Sequence, residues 1–369
     1  MVQIIENHFL VYFLLFLSMV IFSLLTNSLF LKFVRTLGMR KMDAETIIRW
    51  GPKSKPALGG FNFYIVFLLC ITANSVFFDP NQFFLNKEFV GLLLCTTLAF
   101  IVGLTDDAYD TRPLLKLAGQ ITCGVILILT GNYISITGSL YFNYFLTIIW
   151  VVGIMNSINM LDNMDAITSV VSMCIMLCCL LVMATEYEYV GNIYFILLLG
   201  GVAALIGFLR FNWHPSKMYM GDTGSQFLGA LLSAVSIIFL WNFRNNPAAP
   251  WDFLHFTRNL ILVALAFIMT ITDTSIVIIN RIMNGHSPFV GGKDHTTHNL
   301  ARLGLSDSSV ALVFFGVSFL SVLIIWCILR FSGEWKIEHT FLFGGYFLAV
   351  LTTFFLLTRK AQHYEAKEE

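Results

Sequence analysis

The chain has 369 residues, of which 57% are hydrophobic and 12% charged, with 22 basic and 22 acidic side chains and a mean hydropathy of +0.78. That makeup excludes a soluble globular domain and describes a polytopic membrane protein, with no nucleic-acid partner expected. Seven cysteines, an odd number and mostly inside apolar runs, give neither a disulfide framework nor a metal spacing.

Taken in chain order, the first apolar run, Phe9 to Phe33, has no basic region before it. It reads as a retained first span with its N-terminus outside. A crossing helix needs about 20 mainly apolar residues. Eleven segments fit: 8–31, 58–78, 89–105, 114–131, 140–156, 168–185, 190–209, 224–242, 259–280, 309–330 and 340–357. The expected fold is therefore an all-α bundle of about eleven transmembrane helices in a single domain, 1–369, ending in a short cytoplasmic tail at 358–369. The turn between the fourth and fifth segments is poorly fixed by Gly131-Asn132-Tyr133 and Thr137-Gly138-Ser139. With the N-terminus outside, the inner loops carry all but five of the 22 basic residues, the exceptions being Lys87, Arg244, Arg258, Arg330 and Lys336. That bias supports the orientation and places the C-terminus in the cytoplasm.

The inner loops also hold every dense polar cluster. Pro52 to Gly60 brings Lys53 and Lys55, which meet either phosphate or the anionic membrane surface. Gly103-Leu104-Thr105-Asp106-Asp107 sets two adjacent acids, followed by Asp110, at the end of an apolar run. Carboxylates at a bilayer edge are kept mainly for function, so Asp106 and Asp107 read as a general base or a metal-linked pair. Asp110 reads as a helix N-cap. Asn156 to Asp165 spaces amides and carboxylates three apart, so that Asn156, Asn159, Asp162 and Asp165 would share one helical face able to hold a nucleoside or complete a cation shell, the alternative being a polar interhelical loop with Asn and Asp as caps. Gly221-Asp222-Thr223-Gly224 offers close backbone approach and a helix beginning at Ser225 that favours phosphate, with Asp222 as a candidate Mg²⁺ ligand; taken alone it is also a turn signal. Gly291 to His298 brings Lys293, His295 and His298, suited to a pyrophosphate. A zinc half-site is disfavoured there, since the loop has no cysteine and only the more distant His286 as a further nitrogen.

These five blocks, in this order and on one face from about Lys53 to Gly304, resemble the polyprenyl-phosphate N-acetylhexosamine-1-phosphate transferases, the family that includes the phospho-MurNAc-pentapeptide translocase. The resemblance implies a multi-pass enzyme of the bacterial cytoplasmic membrane with its site facing the cytoplasm. It would give the sugar-1-phosphate of a UDP-amino sugar to undecaprenyl phosphate and release UMP, with Mg²⁺ required and Mn²⁺ as a substitute. The lipid bilayer and a homodimer partner belong to the same expectation. By that likeness Asp106 and Asp107 are catalytic and Asp222 holds the metal. Asn159, Asp162 and Asp165 serve the nucleotide side, Tyr219 lies under the uracil ring and Asn212 near the nucleotide. His295 and His298 take the diphosphate, and the family's lysine is Lys53 or Lys55.

Three departures stand out. Both glycines of the family's Asp-Gly-x-Asp-Gly are replaced, by Asn163 and Ala166, and the middle histidine of the His-rich loop is Thr297. The compact Lys-Asp-His-x-x-His form within Ser287 to Ser306 resembles the branch of the family that initiates a cell-surface polysaccharide (O-antigen, capsule or teichoic-acid-like), and that resemblance implies this role over peptidoglycan synthesis. The competing readings are a translocase-like activity, a transporter and a partner-binding scaffold. A transporter would place its charges at the bilayer midplane on broken helices.

Overall fold

The structure, a computed structural model, describes residues 2–37, 55–77, 86–186, 192–243, 253–285, 287, 292 and 294–368. The sequence's apolar runs fold as helices because a backbone removed from water must satisfy its own hydrogen bonds within each segment. In order these are α1 (Val2–Leu37), α2 (Gly59–Phe77), α3 (Lys87–Tyr109), α4 (Pro113–Leu129), α5 (Leu140–Leu161), α6 (Ile167–Glu186), α7 (Ile193–Asn212), α8 (Gly221–Ser236), α9 (Phe253–Ala266), α10 (Ile268–Met283), the short α11 (Thr296–Arg302), α12 (Asp307–Phe331) and α13 (Ile337–Glu368). All eleven expected segments meet a helix. Among the described residues nine helices are long and apolar enough to cross a membrane. The α9–α10 pair, bent by 79°, would make a tenth, and α4 is a shorter apolar helix.

Helix α8 lies at the centre. All but one of its residues are buried, with α3 and α5 as its most extensive neighbours and α2 and α6 also against it. Its Gly, Ala and Ser content lets neighbouring backbones come close, the usual solution where lipid removes the hydrophobic drive between helices. By contrast α1 and α13 are peripheral and present apolar side chains such as Phe9, Leu29, Phe341 and Leu348 outward. At the end opposite the polar loops, Asn132 donates to Glu88 O at 2.7 Å, while Asn242 donates to Tyr133 O at 2.8 Å and accepts from Ser135 N at 2.9 Å. These bonds from a distant helix end fix the turn that Gly131 and Gly138 leave free.

Three local expectations are corrected. Helix α8 starts at Gly221, whose φ of 74° turns the chain, so Asp222 stands in the first turn and not in a loop before Ser225. Helix α5 stops at Leu161, with Asp162 as its C-cap. Asn156 and Asn159 are therefore helical, Asp165 lies in the following loop, and the four residues do not share one face. Asp110 is the C-cap of α3 at φ 50°, donating its N–H to Asp106 O, while the N-cap of α4 is Arg112. The segment 358–369 continues α13 as helix through Glu368.

Candidate active site

Three polar clusters form at one end of the bundle, where α2, α4 and α8 begin and α3, α5, α7 and α10 end. The first joins the opening acids to Asp222. Asp107 turns both oxygens onto the start of α8, accepting from Asp222 N at 2.9 Å, Thr223 N at 2.8 Å and Thr223 Oγ1 at 2.6 Å. It thus caps that helix from another, where orphan N–H groups and the helix dipole favour an anion. Asp106 turns the other way, accepting from Thr111 N at 3.0 Å, Thr111 Oγ1 at 2.5 Å and Lys116 Nζ at 2.7 Å. Lys116 also reaches Asn159 Oδ1 at 3.3 Å and lies 3.5 Å from Asp222 Oδ1. Asn159 in turn donates to Asp222 Oδ1 and, at 2.8 Å, to Ser225 Oγ.

Side-chain oxygens from α3, α5 and α8 therefore converge on one ammonium from α4. Three carboxylates against one lysine leave the cluster short of positive charge. Hard oxygen donors around a cation position fit Mg²⁺, which takes a few protein oxygens and completes its shell with substrate phosphates and water. Among the described residues no three His, Cys, Asp or Glu side chains form a ready-made metal cage, so an ion here would lean on Asp106, Asp222, the Asn159 amide and its substrate.

The second cluster surrounds Asp165, a buried carboxylate. It accepts from Ser216 N at 3.0 Å and Ser216 Oγ at 2.7 Å, and lies 3.0 Å from His214 Nδ1. Lys55 donates to Ser216 Oγ at 2.8 Å and stands over the Tyr219 ring, 5.0 Å from its centroid. The start of α2 is tied here by backbone bonds, Tyr219 N to Pro56 O at 3.0 Å, Gly59 N to Tyr219 O at 3.1 Å and Gly60 N to Met220 O at 3.0 Å. A Cβ on Gly59 would meet the Phe208 ring and one on Gly60 the backbone of Thr223 and Gly224, so the glycine pair lets α2 pack onto the start of α8. Asn212 lies beneath this loop with its amide taken up by the chain: it accepts from Ala166 N and Ser169 Oγ and donates to Met218 O. Lys53 lies outside the described residues, as do Lys293 and His286.

The third cluster is built on α10 and α11. Asp273, fully buried, accepts from Thr296 N at 2.8 Å and lies 3.0 Å from His295 Nδ1. A carboxylate only accepts, so Nδ1 carries the hydrogen of that pair. Arg281 binds Asp294 with two parallel bonds of 2.6 and 2.7 Å. Burial works to raise the Asp294 carboxyl, but Arg281 outweighs it and holds the group below the usual carboxylate range. The His298 imidazole is pushed down to about 4, first by burial and then by the neighbouring His295 charge. His295 and His298 meet edge to face with centroids 5.7 Å apart.

The structure thus gathers Asp106, Asp107, Asn159 and Asp222 in one cluster, Lys55, Asp165 and Tyr219 in a second, and His295 and His298 in a third. Asp162, at the end of α5, stands between the first two in the chain. Lys116, Asp273, His214 and Ser216 were not singled out from sequence. Asp273 did carry a signal, a lone acid inside the ninth apolar run. Lys116 carried only its place after the acids.

Residues 89–240 match the model described as glycosyl transferase family 4. The chain is 27% identical over 313 residues to the probable undecaprenyl-phosphate N-acetylglucosaminyl 1-phosphate transferase of Bacillus subtilis, covering 81% of each chain. It is 25% identical over 280 residues to the decaprenyl-phosphate N-acetylglucosaminephosphotransferase of Mycobacterium leprae, 70% of each. To the phospho-N-acetylmuramoyl-pentapeptide-transferase of Bacillus thuringiensis it is 27% identical over 324 residues, 81% of this chain and 91% of that one. The stretch similar to the glycosyl transferase family 4 model contains the acid pair, Lys116, Asn159 and Asp222.

Proposed function

We propose that the protein transfers an N-acetylhexosamine-1-phosphate from a UDP-sugar to undecaprenyl phosphate, releasing UMP, as the first membrane step of a cell-surface polysaccharide. The observation that carries this reading is the convergence of Asp106, Asn159 and Asp222 on the Lys116 ammonium at one end of a membrane bundle. In the reaction an oxygen of the lipid phosphate bonds to the sugar-bearing phosphorus, and the bond from that phosphorus to the oxygen kept by UMP breaks. Little covalent chemistry falls to the protein, and positioning with charge neutralisation carries the rate.

Asp106 and Lys116 orient the lipid phosphate, which is already largely ionised near neutral pH, so Asp106 acts more as a positioner than as a base. Asp107 holds the first turn of α8 in place and with it the Asp222 carboxylate. Asp222, with Asp106 and Asn159, would hold Mg²⁺, or Mn²⁺ in its place, which when bound supplies positive charge at the diphosphate. Lys55, Tyr219, Asp162 and Asp165 serve the nucleotide side, and His295 and His298 the diphosphate. In this reading α4 and the bent α9–α10 pair each count as one crossing, giving eleven with the nine long helices, the N-terminus lies outside, and this end faces the cytoplasm of a bacterium. The excess of Lys and Arg at the same end supports that orientation, and a homodimer is compatible with it.

The test uses purified protein, labelled UDP-N-acetylglucosamine, undecaprenyl phosphate and Mg²⁺, with lipid extraction and UMP detection. Labelled lipid and UMP in equal amounts, abolished by a chelator and restored by Mg²⁺, are expected. Folded protein that forms neither from any UDP-N-acetylhexosamine overturns the reading.

A further inference from the structure

Two residues set apart by the sequence, Asn163 and Thr297, stand where the resembling family has a glycine and a histidine, and neither finds a role in the chemistry above. They touch each other. Thr297, fully buried in the first turn of α11, donates its hydroxyl to Asn163 Oδ1 at 2.7 Å across 134 positions of sequence. Asn163 is itself anchored, donating Nδ2 to Met160 O at 2.9 Å. Its neighbours are Asp162 on one side and, two residues on, Asp165. The neighbours of Thr297 are Thr296, bonded to Asp273, and His298, with His295 two residues back.

The bond therefore runs from the loop that carries the nucleotide-side acids to the loop that carries the diphosphate-side histidines. A glycine at 163 has no side chain to make it. The partners are matched as a pair: one supplies a carbonyl oxygen and the other a hydroxyl, in a place where an unmatched buried hydroxyl would be costly.

We infer that the Asn163–Thr297 hydrogen bond is a latch that positions the two donor-binding loops relative to each other and so sets affinity for the UDP-sugar. The inference rests on the transferase reading for which ligand is bound, and not for the existence of the latch. A UDP-sugar spans both loops, so a latch formed before binding spares the donor the cost of ordering one loop against the other. The lipid acceptor, which meets Asp106 and Lys116, gains nothing from it.

The experiment compares wild type with Thr297→Val, Thr297→Ser, Asn163→Ala and the double variant Asn163→Ala/Thr297→Val, each checked for its melting temperature. Loss of one neutral hydrogen bond corresponds to roughly a fivefold change in affinity. Thr297→Val and Asn163→Ala are each expected to raise KM for UDP-N-acetylglucosamine about fivefold, with kcat and KM for undecaprenyl phosphate within about twofold of wild type. The double variant stays near fivefold, because one bond cannot be lost twice, and Thr297→Ser, which keeps the hydroxyl, stays near wild type. Additive losses, equal losses in Thr297→Ser and Thr297→Val, or losses shared by kcat and both substrates overturn the latch.

Amide hydrogen exchange provides a readout that does not need turnover. In ligand-free protein Thr297→Val is expected to speed exchange at 162–166 as well as at 294–299, and acceleration confined to 294–299 overturns the latch. A wild-type protein that makes no lipid product overturns the transferase reading instead, while the exchange result still decides on the latch.

Discussion

Ala166 shows what a single side chain costs in this loop. It sits at φ 68°, fully buried, with its N–H bonded to Asn212 Oδ1 at 3.0 Å, where the resembling family has glycine. A left-handed conformation costs a residue with a Cβ roughly 1–2 kcal/mol, and glycine returns about 0.4–1 kcal/mol of that through a more flexible unfolded chain. Ala166→Gly is therefore expected to stabilise the protein by up to about 1 kcal/mol, read as a higher melting temperature in detergent. A lower one would mean that the methyl packs better than the backbone strains.

His298 gives the second expectation at this scale. Its folded value of about 4 lies below the ordinary 6.5, so between those values the unfolded chain takes up a proton that the folded protein refuses. Stability from this group is full above about pH 6.5 and falls as pH drops through that window. Asp294, whose carboxyl is also held low, adds loss in the same direction at lower pH still. The groups around His298 are His295, Asp273, Arg302 and Asp294. His298→Gln is expected to flatten the fall in melting temperature between pH 7 and pH 5, and an unchanged slope would remove His298 as its source.

Among the elements, the joint between α3 and α8 decides the geometry of the site. Gly103 lets α3 approach so closely that a Cβ there would lie 2.3 Å from Asp222 O, which is backbone and cannot rotate away. Gly103→Ala is expected to destabilise by about 1–3 kcal/mol and to lower turnover, because the strain falls on the turn that carries Asp222. Gly153→Ala on α5, where a Cβ would meet nothing within 4 Å, serves as the control and should leave turnover unchanged and stability unchanged or raised by up to about 1 kcal/mol. Equal effects at the two positions would show that the α3–α8 contact is not special.

The helices themselves were legible in the sequence because each is an apolar run of spanning length. The break at Phe267 was not, since α9 and α10 read as one continuous run with neither Pro nor Gly at the bend. The start of α8 was misplaced by four residues, from Ser225 to Gly221, because its cap is Asp107, which is 115 positions away and leaves no local trace.

Across the whole molecule, the sequence put all its dense polar loops on one side, and the structure brings their described residues together at one end of the bundle. Sequence also indicated Asp106, Asp107, Asn159 and Asp222, but not which of them face each other. The adjacent acids are divided, Asp107 to the α8 backbone and Asp106 to Thr111 and Lys116. Only tertiary packing makes that division, as it makes the Asp273–His295 pair and the link from Asn163 to Thr297. The bundle's role is to deliver four helix ends to one point, so that oxygens remote in sequence surround a single positive charge. Asp222 is where those helices meet, and the most direct measurement is UMP release by Asp222→Asn beside wild type across a Mg²⁺ titration. Turnover reduced by at least about 100-fold at every Mg²⁺ concentration, in folded protein, is the expected result; a variant that matches the wild-type rate and Mg²⁺ dependence would contradict the account.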